Sequence, residues 1–433
     1  MNLKAWFPNI YFSCSKIFPL VAAIFIIGCE GGNKQETVIQ FWAMGAEAEH
    51  VQKLTAEFEK ENPGIKVKVQ AIPWTAAHEK LITAYASETT PDIVQLGNTW
   101  IPEFVALNSL EDLGKWVKRS NEIKEQNYFP GIWQTNIIDD HLYGIPWYVD
   151  TRVLFYRKDI LREAGYSSPP KTWKELFDLS EKIKKIENRK NKYAIFLPTN
   201  EWAPFIIFGL QAGSTILKDN NTLGNFSGKK FKESFSYLIN FYKEGLAPID
   251  MTQVSNIYQA FAQGFFSMYI TGPWNVTEFK KRLPEDIQNK WMTAPLPSYD
   301  SVYPGKSLAG GSSFVMFKLS KNKNAAWKLI EFLSSRKSQT EFYNLSSDLP
   351  AVKNAWDDSS LKDDKYLNAF YEQLQNVVPT PKVPEWEQIV SSKVQQYAEY
   401  AARNKMTIDE ALKNLDHDVD IILEKRRWIL SRR

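Results

Sequence analysis

The residue types that usually carry catalysis are thinly spread along this chain, although chemistry needs convergent groups. Its four histidines, His50, His78, His141 and His417, form no His-x3-His pair, and Cys14 and Cys29 form no C-x-x-C. Neither pattern builds a zinc site or a disulfide framework. Gly305-Lys306-Ser307 has the look of the end of a phosphate-binding loop, but position 300 is Asp, and Pro304-Gly305 reads more simply as a turn. No G-x-S-x-G is present. Asp357-Asp358 and Asp363-Asp364 lack the spacing of a calcium loop. No metal or cofactor is expected. A glycosidase needs two opposed carboxylates; no motif marks such a pair, and the 50 Asp and Glu leave that reading open.

The aromatic residues stand out instead. Fifteen tryptophans lie in 433 residues. Trp42, Trp100, Trp147, Tyr148, Trp202, Trp274 and Trp386 fall mostly just after apolar runs or beside Pro and Gly, where open α/β sheets bind ligands beyond the carboxyl ends of their strands. An indole face is flat, apolar and electron-rich, and stacks on the C–H face of a pyranose. Asn98 and Thr99 beside Trp100, Asp150 near Trp147, and Ser312 and Ser313 beside Gly310-Gly311 are placed to hold hydroxyl groups. Trp74 also follows a strand, but its bland reading as a packing residue is the stronger one.

The elements that must position these residues follow from periodicity. Residues 38–44 are a short apolar run, and residues 65–72 alternate strictly, so both read as strands. Val51, Leu54 and Phe58 have helical spacing and stop at Asn62-Pro63-Gly64. A helix over 78–87 and a strand at 93–96 complete a β-α-β-α-β order, which predicts a parallel sheet flanked by helices. Further strands are expected within 142–156, at 193–197, at 265–270 and over 308–317. Helices are expected at 173–186, where Thr172 and Glu175 suggest a capping box, and at 231–244.

Residues 1–28 read as a lipoprotein leader. Lys4 and Lys16 precede the apolar run Ile17–Ile27, which is shorter than the ~20 residues that span a bilayer. Ile26-Ile27-Gly28-Cys29 resembles a lipobox, predicting acylation of Cys29 and a polar tether over 29–36. Lys+Arg is 53 against 50 acids, a net charge of +3, too near zero for a nucleic-acid binder that relies on bulk charge.

The order of VIQFWAM (38–44), PDIVQLGNTWIPEF (91–104), LYGIPWYVDTRVLFYRKDILREAG (142–165), YITGPW (269–274), TAPLP (293–297) and LAGGSSFVMF (308–317) resembles the extracellular solute-binding proteins of bacterial ABC importers. The likeness is to the carbohydrate family that includes maltose- and trehalose-binding proteins. It implies a two-lobed α/β fold of the periplasmic-binding-protein type, with a hinge crossed several times by the chain. One lobe would be 37–147 plus 312–355, the other 148–311 plus 356–433. It further implies a monomer that closes over a sugar, hands it to membrane permease subunits and does no chemistry. By position in the family's motifs, Glu47, Asn98, Trp100, Tyr148, Asp150, Trp274, Gly310, Gly311 and Ser312 would contribute to the cleft. Relatives often carry an aromatic where this chain has Ser312. Two other readings share many of these features. One is the same fold holding a different solute such as glycerol phosphate, for which the quoted stretches offer few cations besides Arg152. The other is a secreted glycosidase.

Overall fold

Alternation and β-branched residues set the first strands. Ile39 and Phe41 are buried on one side of Thr37–Met44, and the helix Glu47–Glu61 buries Val51, Leu54 and Phe58. The strand Ile65–Ile72 exposes Lys66 and Lys68 and pairs on one side only, a charged edge that discourages further strand addition. The next helix runs Trp74–Ala86, one turn earlier than its apolar spacing predicts, because Pro73 fixes the chain direction immediately before it. The computed structural model describes residues 36–189, 191–300 and 302–432. Cys29 and the leader and tether predicted over 1–36 lie outside the described residues, apart from Glu36.

Two mixed sheets organise the chain. The larger has six strands in the order Leu349–Pro350, Gly144–Asp150, Gly310–Met316, Ile93–Gly97, Thr37–Met44, Ile65–Ile72. The three amino-terminal strands are parallel, as helical crossovers require. Gly310–Met316 arrives from far along the chain and pairs antiparallel to both of its neighbours, so the sheet is mixed rather than wholly parallel. The smaller sheet has the order Trp291–Ala294, Val153–Arg157, Met268–Thr271, Ile195–Phe196. The 308–317 run divides into Ser307–Leu308 and Gly310–Met316. The helix at Trp173–Lys185 starts on Thr172, whose hydroxyl accepts the Glu175 N–H (3.1 Å); the Glu175 carboxylate turns to Lys171 N (2.7 Å) instead of closing the box.

The chain passes between the two sheets at closely packed points. Asp150 ends a strand of the large sheet, and Val153 begins one of the small sheet soon after. Ser307 locks this crossing to the next: its hydroxyl accepts Arg152 N (3.2 Å) and donates to Arg152 O (2.9 Å). Ser307–Leu308 also pairs, in parallel, with Val377–Val378. No described helix is long and apolar enough to cross a membrane.

Candidate functional site

Where the large sheet's strands end, the chain leaves a cavity of about 250 Å³. Asn98, Thr99 and Trp100 reach it from the turn after Ile93–Gly97, and Trp74 from the helix start after Ile65–Ile72. Tyr148, Asp150 and Arg152 come from the crossing, and Gly310, Gly311 and Ser312 from the returning strand. Trp202, Leu308 and Thr380 supply other parts of the wall. Three indoles therefore line one cavity, with Trp74 and Trp100 edge to face at 5.7 Å.

The polar groups are held in a network. Tyr148 Oη donates to Glu47 Oε1 (3.0 Å) and accepts from Gln95 Nε2 (2.9 Å) and Ser312 Oγ (3.0 Å). Burial pushes this phenol well above its ordinary range, with the Glu47 and Asp348 carboxylates adding to the effect, so it remains a neutral donor. Ser313 Oγ donates to Asn98 Oδ1 (3.0 Å), while the Asn98 Nδ2, buried at the cavity's edge, has no acceptor among the described residues. Arg152 Nη1 donates to Asp150 Oδ1 (3.0 Å), and Arg152 Nη2 stands 3.8 Å from Glu201. The Arg152 guanidinium stacks over the Trp274 ring at 4.6 Å, a cation–π contact. Gly272 permits that placement, since a Cβ there would lie 2.1 Å from the Trp274 ring.

Behind Trp100 sits a titratable group of three. The His78 ring packs edge-on against the Trp100 indole (5.3 Å) and hydrogen-bonds Glu103 (2.5 Å), which raises the His78 pKa. Glu387 reaches Thr99, and burial raises its carboxyl.

Of the residues singled out from sequence, Asn98, Trp100, Tyr148, Asp150, Trp202, Gly310, Gly311 and Ser312 line the cavity. Glu47 touches it through Tyr148, and Trp274 through Arg152. Three sit elsewhere. Trp147 is buried in the core, stacked on Phe314 (4.8 Å) and against Phe342 (4.5 Å). The cause is side-chain alternation on one strand: with Tyr148 turned to the cavity, its neighbour faces the other way. Trp386 is wholly buried and packs edge-on behind Trp202 (6.3 Å), so it backs a wall indole instead of forming one. Trp42 packs beside the Met44 and Leu81 cluster with Lys80 over its ring (4.9 Å). Sequence reasoning set aside Trp74 and made no site residue of Arg152. Trp74 meets the same criterion as the others, an indole directly after a strand end and a proline.

The family model of the bacterial extracellular solute-binding proteins matches residues 53–369, most of the chain. The chain belongs to this family. Among solved structures, it is similar to the sugar-binding protein MalE from the phytopathogen Xanthomonas citri, at 48% identity and a TM-score of 0.89, covering 92% of this chain and 100% of that one. A solute-binding protein from Thermotoga lettingae bound with α-D-tagatose matches at 26% identity and a TM-score of 0.73, over 89% of this chain and 100% of the other. Among curated relatives, the galactooligosaccharide-binding protein of Bacillus subtilis is 27% identical over 420 residues, 92% of this chain and 95% of the relative.

Proposed function

We propose that this chain captures a neutral sugar, a disaccharide or short oligosaccharide, between two lobes and delivers it to a membrane permease while held to the membrane by acyl chains on Cys29. The lobes would be 37–147 with 312–355 and 148–311 with 356–433, hinged where Arg152 and Ser307 interlock. The observation that carries this reading is the convergence of Trp74, Trp100 and Trp202 on one cavity with Asp150, Tyr148 and the Asn98 Nδ2, which has no acceptor among the described residues. Indole faces take the apolar faces of a pyranose, and the polar groups take its hydroxyls. A ligand touching both lobes favours the closed state by its extra contacts there. The relatives named for sugars and galactooligosaccharides support the ligand class. Arg152 gives little support to an anionic solute, because Asp150 and Glu201 already neutralise it. Asp150 is the one carboxylate among the described lining residues, which disfavours a glycosidase needing an opposed pair.

Calorimetric titration with maltose, malto-oligosaccharides and galactooligosaccharides, beside glycerol phosphate, tests the proposal. Saturable binding of at least one neutral sugar, with Kd on the order of micromolar or below, is the expected result. Silence across every neutral sugar, or tighter binding of glycerol phosphate, overturns it.

A further inference from the structure

The carboxyl-terminal helices carry two stripes. The inner one packs Leu412, Leu415, Val419 and Leu423 into the core, and its polar members pin it there. Asp416 accepts Phe226 N (2.6 Å) and Ser227 N (2.9 Å), Asp420 accepts Gly224 N (2.8 Å), and Arg427 donates to Thr222 O (2.7 Å) and Asp420 O (2.6 Å). The outer stripe follows at i, i+4, i+7, i+8 and i+11 along Ile408–Ile422 and Glu424–Leu430 and just beyond: Ile421, Lys425, Trp428, Ile429, Arg432. An outer helix face is ordinarily polar. Here Ile421, Trp428 and Ile429 are 57%, 54% and 39% exposed. Lys425 is exposed and has no carboxylate partner among the described residues, and the Arg432 guanidinium lies on the Trp428 ring at 3.9 Å.

We propose that this stripe docks on an anionic phospholipid surface. Exposed aliphatic side chains, an indole and cations clustered at the end of one helix and along the next match the acyl boundary, the headgroup level and the phosphates of such a surface in turn. Net charge decides the occupant: the one exposed carboxylate of this segment, Glu424, is outnumbered by Lys425, Arg426 and Arg432. Lys425 and Arg432, with Arg426 beside them, meet no anion among the described residues, and a negatively charged bilayer supplies anions across its whole plane.

The test uses residues 36–433, which form a compact unit and correspond to a solved relative matched along its whole chain. Both cysteines lie outside that stretch, so Ile429→Cys provides a single site for an environment-sensitive fluorophore. With vesicles of phosphatidylglycerol and phosphatidylcholine in equal parts, the label shifts to the blue and the protein co-sediments; high salt weakens both. Trp428→Ala and the double variant Lys425→Glu/Arg432→Glu each lower partitioning at least about tenfold, and neither changes the melting temperature appreciably. The proposal fails if phosphatidylcholine alone binds equally, if both variants bind like the parent, or if the label responds to a protein partner and not to vesicles.

Discussion

Replacing Gly311 by alanine will destabilise the chain far more than replacing Gly165, although both glycines hold positive φ. Gly165 has φ +82, and a methyl added there would meet nothing within 4 Å, so alanine faces only the backbone preference, about 1 kcal/mol. Gly311 has φ +117, and its Cβ would lie 2.2 Å from the Tyr148 carbonyl oxygen and 2.8 Å from the Val149 Cα. Those are backbone atoms of the neighbouring strand, paired at Gly311–Val149 and Ser312–Tyr148, and they cannot rotate away. Relief requires moving the strand that carries Tyr148 and Asp150. The expected cost is about 3 kcal/mol or more. Thermal unfolding of the two variants side by side measures the difference. Equal melting temperatures would mean that the two strands are not held at this spacing.

Asp348→Asn will make the protein more stable at pH 8 and leave it unchanged near pH 4. Leu349 and Pro350 pair antiparallel with Val149 and Tyr148, and continuing that register sets Asp348 opposite Asp150. Burial, then the Glu47 carboxylate, raises the Asp348 carboxyl to about 7; Ser346 opposes the shift and Asp150 adds to it. An unfolded aspartate titrates near ~3.9. The folded state therefore binds this proton more tightly, and the stability this supplies is complete below about pH 4. It declines as pH rises from about 4 to about 7 and is gone above. Asparagine has no proton to lose. Its advantage should grow from near zero at pH 4 to about 4 kcal/mol at pH 8, as denaturant melts at several pH values would read. An advantage that does not vary with pH would remove Asp348 as the titrating group.

Periodicity made the strand and helix order legible, and strand ends located most of the cavity. The residues that escaped did so for physical reasons. Trp147 and Tyr148 are adjacent on one strand, so one of them must face the core; which one depends on the irregular register against Ser312 and Ser313, set by a strand far along the chain. Trp202 and Trp386 both lie near prolines, and only their packing shows that one backs the other. Trp74 opens a helix that begins one turn before the predicted start, and it stands at the spacing of the buried Ala77, Leu81 and Ala84, so no local pattern separates it from a packing residue. Arg152 acquires its place from the close meeting of Asp150, Glu201 and Trp274, which no local pattern announces. Gly310 and Gly311 were legible as places of close approach, and a Cβ at Gly310 would stand 2.3 Å from Asp150 Oδ1.

If indoles in the cavity hold the sugar, removing one of them must weaken binding. The deciding measurement is the affinity of the best-bound oligosaccharide for Trp100→Ala and Trp202→Ala, set beside Trp428→Ala, an exposed indole outside the cavity lining. Each cavity variant should bind at least about tenfold more weakly, and Trp428→Ala should match the parent. Parental affinity in both cavity variants would mean that the sugar is held elsewhere.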